Sequence, residues 1–342
     1  MEKKMVRVWF NHWFSTSYRL IELMKKDVNE QVYVIGSNKQ VHSIIQEVCD
    51  EWYEEPDIGG EEYIEYCLNF CKEHNVEVFV PRRLMVLISQ NRERFESLGV
   101  KLMVDDYQVI SFLNDKAATY EFFSKYSGLY IPDYFIVKTA EQLTEAYNTL
   151  KEKYGRCCMK FVKDEGGMSF RKIVDKVDQF AGLRMYPGNE IAFDSLMDTL
   201  SMVEEFDDLM IMPYLPGYEI SVDCLQTEDS LIAIPRKKGH GRHEKVEYSQ
   251  QIMDMVKIIM AEIKLQYPCN IQFKIKDDIP YLLEINTRMS GGLQMSCLAT
   301  GVNIPNIALN KLLGRNVKWS MDTKEKIVSY IEIPRIVQEY EE

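Results

Sequence analysis

Residues 269–288 read CNIQFKIKDDIPYLLEINTR, and MSGG follows at 289–292. The spelling is strand, turn at Asp277-Asp278, strand. On the second strand Glu284, Asn286 and Arg288 fall at i, i+2 and i+4, so they project from one face, while Leu283 and Ile285 project from the other into a core. If the turn holds an odd number of residues, Gln272 lies opposite Glu284. One face then carries a carboxylate, two amide oxygens and a guanidinium. Hard oxygen donors of that kind suit Mg2+, which shares its shell with substrate phosphates, and an arginine grips a phosphoryl group bidentately. On these residues alone a solvent-exposed face is the simpler reading. The next segment adds weight to the other: Ser290-Gly-Gly292 is a flexible turn and Leu293–Thr300 can begin a helix, which makes a natural anion site.

Working outward, Cys157–Val162 is a strand running into the loop Lys163-Asp-Glu-Gly-Gly-Met-Ser169. Lys160 sits there among Cys158, Met159, Phe161 and Val162, and a lysine in an apolar strand needs a partner or an anion. The apolar run Leu209–Leu215 is a buried strand, and Pro216-Gly217 a turn. Glu219–Leu225 and Ser230–Ile234 form an antiparallel pair. The loop Pro235–His243 is a basic cluster with Arg236, His240 and His243, either solvated or a clamp for anions. Helices are expected at Asp115–Tyr126, at Ala140–Lys153 behind a Thr139 cap, and at Gln250–Tyr267, with a strand at Tyr134–Val137. Residues 175–206 mix acidic and apolar side chains and read as helices, and Gln338–Glu342 is an acidic tail. In the first hundred residues, strands at Met5–Phe10, Gln31–Gly36, Val76–Pro81 and Val100–Val104 alternate with helices at Tyr18–Met24 and Glu61–His74. That alternation predicts a parallel sheet covered on both faces. The first turn, Asn11–Ser17, has no glycine, which argues against a dinucleotide.

Taken in order, these blocks resemble the ATP-grasp enzymes, in the branch of the carbamoyl-phosphate synthase large subunit and the carboxylate–amine ligases. Glu284-Ile-Asn-Thr-Arg-Met-Ser-Gly-Gly292 with Gly301-Val-Asn-Ile-Pro305 is similar to the family's metal-binding signature. The resemblance spans roughly residues 76–315. It implies a mixed α/β and α+β multidomain chain: a doubly wound, Rossmann-like pre-grasp domain over 1–112, then a two-lobed ATP-grasp fold with a lid lobe over 113–208 and a large lobe over 209–342. It implies ATP contacts from Lys116, Lys160, Gly166, Gly167, Ser169, Met212, Tyr214, Leu215 and Glu219, the last accepting the ribose hydroxyls. Gln272, Glu284 and Asn286 become ligands for one or two Mg2+ ions, with Mn2+ as a substitute; Arg288, Lys160 and Arg236 become the catalytic cations. Arg82, Arg236, His240, Ser290 and Gly291 are candidates for substrate contact.

Composition bounds the alternatives. The 342 residues are 46% hydrophobic and 27% charged, which is globular, and the formal net charge of −12 gives no positive field to draw in nucleic acid. No apolar run approaches the ~20 residues of a membrane helix, and the start of the chain lacks a secretory core, so a cytoplasmic protein is expected. The eight cysteines are dispersed without a Cys-x-x-Cys pair and read as reduced thiols, not a zinc site. The expected activity is ATP-dependent phosphorylation of a carboxylate to an acyl phosphate, captured by an amine, with release of ADP and phosphate. Small-molecule acids and amines are the partners, and a homodimer is the default assembly. Two alternatives stand beside it: a carbamate- or bicarbonate-phosphorylating enzyme, and a non-catalytic ATP-binding regulatory module.

Overall fold

A computed structural model describes residues 5–27, 31–163, 167–178, 180, 183–184, 188–239 and 241–337. The chain divides into two compact units. The first comprises Met1–Ser111, Glu219–Gln272 and Ile285–Glu342; the second comprises Phe112–Tyr218 and Phe273–Glu284.

The first unit opens with strands β1 (Met5–Asn11), β2 (Gln31–Asn38), β3 (Glu51–Glu54), β4 (Val78–Val80) and β5 (Lys101–Leu102). They form one parallel sheet in the order β3-β2-β1-β4-β5. The period of two in β1 sorts its side chains. Val6, Val8 and Phe10 join the core that holds the helix Tyr18–Lys25 and the helices Leu293–Thr300 and Ile304–Leu312, while Trp9 stacks on Phe79 and Phe70 on the opposite face, beside the helix Gly60–Glu73. Both faces are covered, as a parallel sheet requires. β3 escapes the sequence reading because Glu51 and Glu54 bracket only Trp52 and Tyr53.

The second unit contains β6 (Phe135–Val137), β7 (Cys157–Phe161), β8 (Arg171–Val174), β9 (Glu190–Ala192) and β10 (Leu209–Pro213), in the order β6-β10-β7-β8-β9. Asp115 caps the helix Lys116–Phe123 by accepting from Ala118 N at 2.9 Å, and Thr139 caps Ala140–Tyr154 by accepting from Gln142 N at 3.3 Å. The stretch expected to be helical, 175–206, contains instead the strand β9 ahead of the helix Phe193–Leu200.

A third sheet has the order β15-β14-β11-β12-β13-β16, with β11 Glu219–Gln226, β12 Leu231–Lys238, β13 His243–Val246, β14 Cys269–Lys276, β15 Ile279–Asn286 and β16 Lys326–Ser329. Among the described residues no helix is long and apolar enough to cross a membrane. All eight cysteines are free thiols, and burial raises the pKa of Cys49, Cys158 and Cys297 to about 12.

Candidate functional site

In the first unit β12 runs four residues past its expected end at Ile234, so Arg236 is a strand residue and not part of a basic loop. Ser221 and Arg236 are direct cross-strand partners, and Arg236 pairs in turn with Val246. One face of the sheet therefore carries Ser221, Asp223, Arg236 and Glu244. Asp223 is 1% exposed and Arg236 2%. The Arg236 guanidinium donates to Asp223 Oδ2 at 2.9 Å, to Glu244 and to Ser290 Oγ at 3.1 Å. Asp223 also accepts from Asn270 Nδ2 at 2.7 Å, Ser290 Oγ at 2.7 Å and Ser296 Oγ at 2.6 Å. The desolvation of a buried cation is offset by two carboxylates, and their charge holds the Arg236 pKa above its ordinary value despite burial.

This network lies under the turn after β15. A Cβ at Gly292 would collide with the Arg236 guanidinium, and one at Gly291 would come within 2.9 Å of Thr16 Oγ1. The turn is thus clamped on both sides, not flexible, and its glycines answer to close approach. Arg288 lies two residues beyond the end of β15, which stops at Asn286. Its guanidinium sits 5.6 Å from the centre of the Phe14 ring, and Nη1 donates to Met289 O at 3.3 Å. Gln272 donates Nε2 to Asn270 Oδ1 at 3.2 Å, which presents its carbonyl oxygen as an acceptor. Glu219 pairs with Lys238.

The β14–β15 turn is the two residues Asp277 and Asp278, both left-handed at φ 51° and 61°. Two is even, so the odd-turn condition for placing Gln272 opposite Glu284 is not met. The alternation within β15 is also not strict. Its buried positions are Pro280, Leu282 and Ile285, so the period slips by one, as an extra residue in a strand produces, and Leu283 and Glu284 are both half-buried.

In the second unit Lys116 and Lys160 are 8% and 9% exposed. Lys116 Nζ donates to Val162 O at 3.2 Å, and Lys160 Nζ lies 5.6 Å from the centre of the Tyr120 ring. They flank an apolar cluster of Tyr120, Cys158, Val162, Met210 and Met212, with Tyr214 against it. Tyr120 donates to Leu283 O at 2.8 Å, and burial, then the Glu284 carboxylate, raises its pKa. β10 pairs with β6 only through Leu209–Ile211, but with β7 through to Pro213. Among the described residues Met212 and Pro213 therefore have a strand neighbour on one side only. Tyr214 N continues toward Arg156 O at 2.8 Å, and Leu215 is buried. Gly167 takes the left-handed φ of 68°, and Ser169 Oγ accepts from Phe161 N at 2.9 Å, pinning the turn back on β7. Gly166, His240 and the tail from Gln338 lie outside the described residues.

Sequence reasoning missed Asp223, and the signal was available. Glu219, Ser221 and Asp223 stand at i, i+2 and i+4 in an otherwise apolar strand, the same spacing that singled out Glu284. Among the described residues no group of three or more His, Cys, Asp or Glu could hold a metal alone. A single carboxylate with two amide oxygens fits a divalent ion that keeps phosphate oxygens in its shell.

Comparison with known proteins agrees with this architecture. Residues 15–103 match the family described as PylC-like, N-terminal domain, and residues 205–334 match ATP-grasp in the biosynthetic pathway with Ter operon. The carbamoyl phosphate synthase large chain of Pseudothermotoga lettingae is 20% identical over 322 residues, 88% of this chain but 27% of that protein, so the chain spans about a quarter of its length. Among solved structures, N5-carboxyaminoimidazole synthetase from Staphylococcus aureus, complexed with ADP, superposes with a TM-score of 0.71 at 15% identity over 96% of this chain and 83% of that one. The biotin carboxylase domain dimer of Hydrogenobacter thermophilus 2-oxoglutarate carboxylase, in complex with MgADP, ADP and bicarbonate, gives 0.67 at 16% over 94% and 73%. The chain carries a PylC-like N-terminal domain and an ATP-grasp domain.

Proposed function

We infer that the protein is an ATP-dependent ligase that phosphorylates a carboxylate and joins the acyl group to an amine. The observation that supports this most is the end of β15, where Glu284, Asn286 and Arg288 follow one another in a fold shared with ADP-bound synthetases. Lys116 and Lys160 would neutralise the phosphates, with Gly166, Gly167 and Ser169 as the loop over them. Met212, Tyr214 and Leu215 would meet the adenine and Glu219 the ribose, which requires Glu219 to exchange Lys238 for a hydroxyl. Mg2+ supplies charge neutralisation of the triphosphate when bound, and Glu284 with Gln272 and Asn286 would hold it.

A carboxylate oxygen of the substrate attacks the γ-phosphorus, the bond to the β-phosphate oxygen breaks, and ADP leaves. Arg288 and Lys160 stabilise the equatorial oxygens of the transferring group. The amine then attacks the carbonyl carbon of the acyl phosphate, loses its proton and expels phosphate. The chain needs no nucleophile of its own; its contribution is position and charge. Arg236 acts from beneath, holding the Ser290–Gly292 turn, with Ser290, Gly291 and Arg82 toward the substrate.

The proposal includes the division into 1–112, 113–208 and 209–342, and a cytoplasmic homodimer, the carboxylase-domain neighbour having been solved as a dimer. A second reading, in which bicarbonate is the phosphoryl acceptor, draws on that neighbour's complex with bicarbonate. A panel of carboxylic acids and amines, with a bicarbonate arm, read by phosphate release from MgATP, tests both. Acid- and amine-dependent release supports ligation, release with bicarbonate alone supports the second reading, and tight ATP binding with no release under any condition contradicts both.

A further inference from the structure

The third sheet ends in an apolar edge. In the order β15-β14-β11-β12-β13-β16, β16 is terminal: Lys326–Ser329 pairs antiparallel with β13 on one side, and among the described residues no strand pairs with the other. A strand edge offers a row of N–H and C=O groups to any chain that can match it, and folded proteins blunt it with charge, proline or a covering segment. This edge carries isoleucine. Ile327 is 71% exposed, Ile331 80%, and Ile333 is exposed as well, whereas Val328 points the other way and is buried in the core.

The segment that follows β16 is held in place. Ser329 Oγ donates to Arg242 O at 3.0 Å, Arg242 pairs with Glu332 at 2.7 Å, and its guanidinium lies 5.9 Å from the centre of the Tyr330 ring. Further on, Gln46 Nε2 donates to Val337 O at 2.6 Å. Contacts at Ser329, Tyr330, Glu332 and Val337 therefore fix the segment on the first unit. A segment ordered beforehand loses less conformational freedom when it binds. Pro334 has no N–H to give, so it bounds any pairing at that end.

We propose that residues 326–332 pair antiparallel with the same residues of a second copy of this chain, about a two-fold axis at Ser329. The stretch is complementary to itself in that register alone. Ile327 falls opposite Ile331, Val328 opposite Tyr330, and Lys326 opposite Glu332, so at both ends of the pairing a cation meets an anion and no like charges face each other. Moving the axis to Val328 or Tyr330 sets an isoleucine against Ser329 and leaves Lys326 facing Tyr330 or Pro334. Within its own chain Lys326 pairs with Asp322 and Glu332 with Arg242, so each charge gains a second partner across the axis and none is buried alone. The inference names the contact surface of the homodimer proposed above and rests on that reading, not on the ligase chemistry. A pairing of this length is small beside the ~1,600 Å² of a standard interface, so the dimer should dissociate on dilution.

The test is sedimentation equilibrium of the intact chain over a dilution series, for the wild type and for Ile331→Lys. Residue 331 lies outside the strand and in solvent, so the variant should keep the wild-type melting temperature. Its lysine would face Ile327 of the second copy, and the association constant is expected to fall about 30-fold or more. A second measurement fixes the register. Opposed residues of antiparallel strands have Cα atoms about 4.5–5.5 Å apart, within reach of a disulfide. Ser329→Cys should therefore give a covalent dimer in oxidised glutathione, whereas Ile333→Cys, exposed but opposite Glu325, should not. A wild-type dimer that Ile331→Lys leaves intact, or equal cross-linking from positions 329 and 333, overturns the inference and leaves the homodimer standing. A wild type that is monomeric at every concentration overturns both. No nucleotide is added, so the outcome is separate from that of the ligase assay.

Discussion

Arg236 and Arg288 lie in the same compact unit, both near Gly292, and both are cations that a triphosphate would attract; the fold gives them opposite work. Arg236 is 2% exposed and held between Asp223 and Glu244, so its charge is matched before any ligand arrives. Arg288 is half-buried, leaves its strand, and rests against an aromatic ring. The difference teaches that an arginine's role follows from the phase of its strand and from the carboxylates sharing its face, not from the basic residues beside it in sequence.

The largest way to break this comparison is to remove the residues assigned to chemistry. Glu284→Ala and Arg288→Ala are each expected to slow ADP release by about 10²–10³-fold, with melting temperature unchanged. Arg236→Ala should do the reverse of a pure activity loss. It leaves Asp223 and Glu244 buried and uncompensated, so chemical denaturation should show a loss of about 3–5 kcal/mol. A buried carboxylate held by backbone N–H groups sharpens the contrast. Among the described residues the Asp105 carboxylate accepts from Gln266 N at 2.6 Å and Tyr267 N at 3.3 Å, and burial raises its pKa from 3.8 to about 6. Its folded value exceeds its unfolded one, so its contribution is fully present below pH 3.8 and is lost as pH rises through 6. The stability of the wild type relative to Asp105→Asn should therefore fall between about pH 4 and 6, by up to about 3 kcal/mol, and then level off. The smallest effect is Gly292→Ala. One methyl group against the Arg236 guanidinium should cost about 1–3 kcal/mol and lower kcat more than it raises KM, because the turn bearing Arg288 must shift.

Much of this was legible from local pattern. The strand at Met5–Phe10, the helix at Leu293–Thr300 and the cap at Thr139 were read where they occur, because periodicity and capping chemistry act within a few residues. What was missed depends on neighbours distant in sequence. β12 continues through Arg236 because β11 and β13 supply partners on both sides, which no local spelling reveals. The slip between Leu282 and Ile285 broke the assumed alternation around Glu284. The Gly291-Gly292 pair, read as freedom of movement, answers to Thr16 and Arg236 at distances in sequence of hundreds and tens of residues.

The most direct measurement of the central claim is the nucleotide product formed from MgATP by the wild type and by Glu284→Ala, each with the acid and amine that give turnover. The account predicts ADP and phosphate in equal amounts from the wild type, and both formed about 10²–10³-fold more slowly by a Glu284→Ala protein that melts at the wild-type temperature. AMP and pyrophosphate as products, or undiminished ADP from Glu284→Ala, would contradict it.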